Sequence, residues 1–149
     1  MYHNILVPLD RSKRAEAILP HVEHLARRYG ANVIFLHVVQ PDMTPWGPEI
    51  PNKRYYFDEI NRQIKATEVY LVELEGRFHS KGINTKRLIF NGSIVETILL
   101  AADIEGVDLV AIASHGWSGL PRVFYGSVAA SVLQKIDRPL LLMRSRVDK

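Results

Sequence analysis

The chain has 149 residues, of which 47% are hydrophobic and 23% charged, the ordinary composition of a single water-soluble domain. It contains no cysteine, which excludes disulfides and thiolate zinc sites and suits a reducing cytoplasm. The net charge is only +3 and its Lys and Arg residues are scattered, so no basic stripe points to nucleic acid. No apolar run approaches the roughly 18 residues of a membrane span. We therefore expect one cytoplasmic domain over residues 1–149, with neither nucleic acid nor membrane as a partner.

The first forty residues predict two strands separated by a helix, because short apolar runs flank a helical pattern. Ile5–Val7 is the first strand, which stops at Pro8 because proline cannot donate to a central ladder. The helical pattern that follows contains Pro20, which predicts a kink or a break, and ends at Gly30. Val33–Val39 is the second strand, apolar enough to be buried on both faces.

The middle of the chain begins with an irregular segment. Four prolines between positions 41 and 51 predict a mobile loop without regular structure. The apolar spacing from Ile60 to Phe78 then predicts a long helix that is closed by Gly82. The aromatic side chains nearby, Trp46 and Tyr55–Phe57, are compatible with a lid over a ligand, an interface or ordinary packing, and the sequence does not decide among them.

The remainder of the chain predicts three more strands, Arg87–Phe90, Val107–Ala113 and Pro139–Met143. A helix opened by Ser93 separates the first two, and a helix over Ser127–Ile136 precedes the last. Five strands alternating with four helices predict a three-layer α/β fold around a doubly wound parallel sheet.

Candidate chemistry is densest after the fourth strand, and open parallel sheets bind ligands at the carboxyl ends of their strands. There Ser114–Gly119 leads on to Gly126 and Ser127. Glycines allow close approach of the backbone, and the first N–H groups of a helix attract anions, so this pattern favours phosphate binding. A surface loop followed by an ordinary helix start explains the same glycines equally simply.

The same stretch resembles the ATP-binding signature of the universal stress protein family. That signature is Gly, two residues, Gly, nine residues, then Gly with Ser or Thr; here Ala113-Ser114-His115-Gly116 is followed by nine residues and Gly126-Ser127. Further segments that resemble the family are Asn4–Asp10, Leu36–Val39, Asn91–Ser93, Gly106–Val110 and Arg138–Leu141. The likeness covers nearly the whole chain, and departs from the family at Ala113. A positive φ there would strain an alanine, whereas a negative φ would cost almost nothing.

The resemblance implies an adenine nucleotide alpha hydrolase-like strand order of 3-2-1-4-5, with ATP or AMP as ligand and Mg²⁺ as a companion of ATP. It implies that Leu9 and Asp10 lie beside the ribose and adenine, and that the backbone of Val38 meets the adenine. The residues implied to surround the phosphates are Ala113, Ser114, His115, Gly116, Trp117, Ser118, Gly119, Gly126, Ser127, Val128 and Ala129. It also implies a homodimer through the last strand, Pro139–Met143, an apolar edge otherwise left unpaired.

Several of these residues have a structural explanation as well. Asp10 is equally a helix-capping carboxylate, and an exposed loop position is favoured for His115, for which no partner can be identified. His37 is expected in the core or next to a ligand. His21 and His24 are three residues apart on a helix, but no third potential ligand follows at a spacing typical of metal sites. We therefore predict no metal site.

Enzyme signatures are missing from the sequence, including Gly-x4-Gly-Lys-Ser/Thr and Gly-x-Ser-x-Gly. We therefore expect no catalytic residues, and at most slow ATP hydrolysis by a regulatory module of the stress response. Two rival functions remain open. One is an interaction protein of the same fold without nucleotide, which Ala113 favours; the other is an enzyme such as an ATP pyrophosphatase, for which metal ligands are missing.

Overall fold

The structure, a computed structural model, describes residues 1–40, 53–114 and 126–144. In these ranges the chain forms one parallel sheet of five strands in the order β3-β2-β1-β4-β5, which confirms the predicted architecture and strand order. The strands are β1 (Asn4–Pro8), β2 (Asn32–Val39), β3 (Thr85–Asn91), β4 (Leu109–Ser114) and β5 (Leu140–Arg144). The helices are a one-turn 3-10 helix (Ala15–Ile18), α1 (Leu19–Tyr29), α2 (Lys53–His79), α3 (Ile94–Ile104) and α4 (Ser127–Lys135).

Helices cover both faces of the sheet, because the middle of each central strand carries apolar side chains on both faces. On β2, Phe35 packs into the core beneath α1 and α2, whereas Leu36 packs into the core beneath α3 and α4. The rings of Phe35 and Phe78, which lies on α2, meet edge to face with their centroids 5.1 Å apart. This alternation explains why the strands appear in the sequence as continuous apolar runs.

Two helix limits lie at the proline and the glycine where the sequence predicted them. The 3-10 helix ends at Ile18 and α1 begins at Leu19, so Pro20 lies in the first turn of α1, which confirms a break there. Gly30 follows α1 with a left-handed φ of 65°. Helix α2 begins at Lys53, earlier than predicted. Its first turns left no signal in the apolar spacing, since the first buried residue of α2 is Ile60.

Strand limits differ from the prediction by one or two residues. β1 continues through Pro8, which lies in register with Leu36, and the next residue, Leu9, donates its N–H to the Leu36 carbonyl at 2.8 Å. The missing N–H of Pro8 therefore removes only one hydrogen-bond donor from the sheet, at the last residue of β1. β4 begins at Leu109 rather than at Val107, which leaves Asp108 just before the strand.

Two predicted segments lie outside the described residues. One is the proline-rich loop with Trp46, and the other contains His115, Gly116, Trp117, Ser118 and Gly119. Of the helices in the described ranges, none combines the length and the hydropathy that a membrane span needs.

Candidate functional site

A cleft lies at the carboxyl ends of β1, β2 and β4, where the chain crosses from one half of the sheet to the other. This is the switch point at which doubly wound sheets bind ligands. Eight of the predicted site residues line it: Leu9, Asp10, Val38, Ala113, Gly126, Ser127, Val128 and Ala129. Ser114 is buried at the end of β4, next to Ala113. Segments far apart in the sequence are thus brought to one place by the strand order alone.

The turn after β1 carries Asp10 into the cleft. The carboxylate Oδ1 of Asp10 accepts a hydrogen bond from the Ser12 backbone N–H at 2.9 Å, and the Ser12 hydroxyl accepts one from the Ala15 N–H at 3.1 Å. Asp10 thus closes the turn that precedes the 3-10 helix and also lines the cleft, whereas the first N–H of that helix is bonded by Ser12 rather than by Asp10. Between Asp10 and Ser12, Arg11 has a φ of 71°, in the left-handed region that favours glycine.

His37 lies beneath this turn and also lines the cleft. Its side chain is only 8% exposed, and Nδ1 lies 2.8 Å from the Leu9 carbonyl oxygen. Because a carbonyl oxygen only accepts, Nδ1 must carry the hydrogen. Burial lowers the pKa of His37, and the hydrogen bond to Leu9 offsets only part of that shift. The ring is therefore a neutral imidazole at neutral pH, both a core residue and a neighbour of the ligand site.

Ala113 is accommodated without backbone strain. It lies inside β4, in register with Met143 of β5, and Arg11 is the one non-glycine residue with a positive φ in the described ranges. The alanine in place of the family's first glycine therefore has an ordinary extended backbone. Alanine at this position therefore brings no backbone strain to the cleft.

Helix α4 begins at the mouth of the cleft. Gly126 occupies the N-cap position with φ 47° and ψ 146°, a conformation that an L side chain rarely adopts. The next three residues, Ser127 to Ala129, form the first helical turn and line the cleft. The N–H groups of a first helical turn have no partner within the helix, so this end of the cleft attracts an anion.

The apolar half of the cleft was missed by the motif analysis. Its additional lining residues are Pro8, Ala15, Leu36, Ile94, Ile98 and Ile112. Pro8 is the last residue of β1, Leu36 and Ile112 lie three and two residues before the ends of β2 and β4, and the others lie on the 3-10 helix and on α3. A period of two places Leu36 on the same face as Ile34, and Ile112 on the same face as Val110, but no motif marks them as site residues. Together they give the cleft an apolar wall beside the anion-attracting helix start.

Metal ligands do not converge in the described part of the chain. No three His, Asp or Glu side chains in it come close enough to hold an ion. His21 and His24 are both exposed on α1.

The sheet order and the position of the cleft define a doubly wound α/β protein with its ligand site at the switch point. The sequence profile of the universal stress protein family matches residues 1–144, so the chain belongs to that family. The residues that carried the resemblance are spread over the same range.

Individual relatives support the assignment. The universal stress protein MJ0577 of Methanocaldococcus jannaschii is 29% identical, over 98% of this chain and 97% of its own. YxiE of Bacillus subtilis, also a universal stress protein, is 28% identical, over 97% of this chain and all of its own. The solved structure of MJ0577 superposes with a TM-score of 0.85 at 28% identity and covers 99% of both chains.

Two further solved structures of the family contain nucleotides. One is a universal stress protein in complex with cAMP, with a TM-score of 0.70, 20% identity and coverage of 97% of this chain and 98% of its own. The other, from Archaeoglobus fulgidus, is in complex with dAMP, with a TM-score of 0.64, 22% identity and coverage of 95% and 97%. At this identity the likeness demonstrates a common fold.

Proposed function

We propose that this chain binds an adenine nucleotide, ATP or AMP, in the cleft and acts as a regulatory binding module of the stress response. The observation that carries the proposal is the composition of the cleft, which combines an apolar wall with the start of α4. A nucleotide likewise combines a flat base with charged phosphates. The cAMP and dAMP complexes of two relatives of the same fold support an adenine ligand.

The proposed roles follow from position. The adenine lies against Val38 and the apolar wall, the ribose lies at Asp10, and the phosphates meet the first turn of α4 at Ser127. Hydrogen bonds from a hydroxyl and from backbone N–H groups to a charged phosphate are the stronger, charge-assisted kind. Asp10 is the single carboxylate among the described lining residues, so we expect any Mg²⁺ that accompanies ATP to be held mainly by the phosphates.

The first test is the nucleotide content of the purified protein, followed by calorimetric titration with ATP, AMP and adenosine. We expect Gly126→Ala to weaken AMP binding at least about tenfold, because a Cβ strains the start of α4. Gly106→Ala is the matched control, since Gly106 also has a positive φ, 58°, and lies away from the cleft. A protein that is empty and gives no heat with millimolar nucleotide would refute the proposal, as would equal losses of affinity in the two variants.

The rival functions are weaker in this structure. The unstrained backbone of Ala113 removes the feature that favoured an interaction protein without nucleotide. An enzyme would need a second acid or base beside Asp10, and in the described lining His37 is the one other titratable side chain, with its Nδ1 hydrogen already bonded to the Leu9 carbonyl. Turnover of ATP above about one per second with Mg²⁺ would favour the enzyme instead.

We also propose a homodimer through β5, as the family resemblance implies. Leu140 to Met143 are half-buried in the isolated chain and form an uncharged edge of the sheet. Sedimentation of Leu142→Lys should show monomers, since a charge on this strand opposes strand pairing. Leu133→Lys, at an exposed position on α4, is the control, and an unchanged mass of Leu142→Lys would contradict the proposed interface.

A further inference from the structure

The turn after β1 is strained at a single residue. Arg11 has a φ of 71°, and within the described ranges every other residue with a positive φ is a glycine. A left-handed backbone is unfavourable for an arginine, because its Cβ approaches the following carbonyl oxygen. Such a conformation persists only when the surrounding contacts leave the chain no alternative, and it is concentrated at ligand sites.

Hydrogen bonds on both sides of Arg11 supply those contacts. After it, the Asp10 carboxylate accepts from the Ser12 N–H, which closes the turn on itself. Before it, Leu9 is fixed twice to β2: its N–H donates to the Leu36 carbonyl, and its carbonyl accepts from Nδ1 of His37, both at 2.8 Å. Among these bonds, the one to His37 is the only one made by a side chain from outside the turn.

The imidazole is well placed to control the residue that follows. The peptide unit between Leu9 and Asp10 contains the Leu9 carbonyl, so fixing that oxygen fixes the plane from which the Asp10 side chain departs. His37, Leu9 and Asp10 all line the cleft. The ring is 8% exposed, so its own orientation is set by the packing around it.

We propose that His37 is a positioning residue: by holding the Leu9 carbonyl it directs the Asp10 carboxylate at the ribose hydroxyls of the ligand, and so sets the preference for ribonucleotides. This inference rests on the proposed function, because it concerns the same nucleotide and the same cleft. It adds a residue that does not itself bond the ligand, and it assigns to that residue one measurable property, the discrimination between ligands with and without ribose hydroxyls.

The test compares AMP with 2′,3′-dideoxy-AMP, which keeps the base and the phosphate. By calorimetry we expect the wild-type protein to bind AMP about tenfold more tightly, since hydrogen bonds to a carboxylate are charge-assisted. In His37→Leu the ratio of the two affinities should fall from about ten to about one, whatever the change in the absolute affinities. His37→Asn places an amide N–H near the position of Nδ1 and should restore most of the preference.

Two further variants separate positioning from folding. His37→Gln keeps a polar side chain of similar volume but carries its amide beyond the Nδ1 position, so it should fold and still lose the preference. Asp10→Ala should lose the preference by itself, and adding His37→Leu to it should reduce the ratio no further. Thermal unfolding of each variant shows whether the chain is folded.

The outcomes are distinct. If the wild-type protein binds neither ligand, the proposed function fails and this inference fails with it. If it binds both equally, or if His37→Leu or the folded His37→Gln keeps the preference for AMP, nucleotide binding stands and the positioning role of His37 is overturned.

Discussion

The two ends of the sheet use their polar groups in opposite ways. At the amino end, Asp108 accepts hydrogen bonds from the backbone N–H groups of His3 and Asn4, at 2.7 and 3.1 Å. Arg138 donates to the carbonyls of Ala102 and Val107, at 2.8 and 3.1 Å. These charged side chains are hydrogen-bonded to the chain's own backbone, so they contribute to stability.

The carboxyl end holds an apolar cleft, a helix start at Gly126 and a strained turn at Arg11. Neither the helix start nor the strained backbone is favourable for the isolated chain, and both are suited to a ligand. The contrast teaches that substitutions at the amino end should lower stability most, whereas those at the carboxyl end should change it less and act mainly on binding. Four changes test this division, from the largest expected effect on stability to the smallest.

Arg138→Ala should produce the largest loss of stability. It leaves the carbonyls of Ala102 and Val107 without their charged donor and removes the ion pairs with Asp103 and Asp137. We expect about 2–3 kcal/mol less free energy of unfolding, measured by urea denaturation. AMP affinity should stay unchanged. Arg138→Lys keeps the charge without the forked geometry, so its free energy of unfolding should lie between those of Arg138→Ala and the wild type. A loss of AMP affinity in folded Arg138→Ala would contradict the division between the two ends of the sheet.

Asp108→Ala should have a smaller effect of the same kind. It leaves two backbone N–H groups at the start of β1 without their acceptor, and we expect a loss of about 1–2 kcal/mol in the free energy of unfolding. Asp108→Asn keeps one acceptor oxygen and should recover part of the loss. If Asp108→Ala were as stable as the wild type, the amino end would not be the stabilising end.

The pH dependence of stability should carry a contribution from His37 at the carboxyl end. Burial lowers its pKa in the folded state, so the unfolded chain takes up a proton first as the pH falls. The contribution of His37 is therefore fully present above the unfolded value of about 6.5 and is lost as the pH falls through the lower folded value. Urea titrations at pH 7.5 and 5.5 should differ less for His37→Gln than for the wild type; equal differences would contradict this.

Arg11→Gly should have the smallest effect, and of opposite sign. Glycine relieves the left-handed strain, but the greater freedom of the unfolded chain offsets part of the gain, so we expect a stabilisation of less than about 1 kcal/mol. Lys13→Gly, two residues further on and outside the left-handed region, should destabilise instead. A Tm of Arg11→Gly below that of the wild type would show that the turn carries no strain.

The fold could be predicted because each element leaves its own local signal. The apolar runs of the strands, the break at Pro20 and the closing Gly30 all act through neighbouring residues. The early start of α2 at Lys53 could not be predicted, because its first turns have no apolar face toward the sheet. The limits of β1 and β4 differ from the predicted ones because hydrogen bonds with a partner strand, and not composition, decide where a strand begins and ends.

The site was predictable only where a motif marks it. The motif pointed to Gly126 and Ser127, and the structure brings them to the cleft together with Asp10 and Val38. Their roles toward a nucleotide remain predictions. The bond from His37 to Leu9 joins residues 28 positions apart, and nothing in the sequence marks Arg11 as left-handed. Such features depend on tertiary contacts, which a pattern in one sequence does not record.

The two edges of the sheet also differ, with a consequence for assembly. β3 forms one edge and carries Lys86 and Arg87, whose side chains are held by Glu105 and Glu75, whereas the other edge, β5, is uncharged from Leu140 to Met143. An endless fibre requires that each copy accept a strand at both edges, and charged residues on β3 oppose this. In the proposed homodimer, β5 pairs with the same strand of a second copy, which uses up the uncharged edge that the described part of each chain offers. Such a dimer would be limited to two copies and could not propagate through the sheet into a filament.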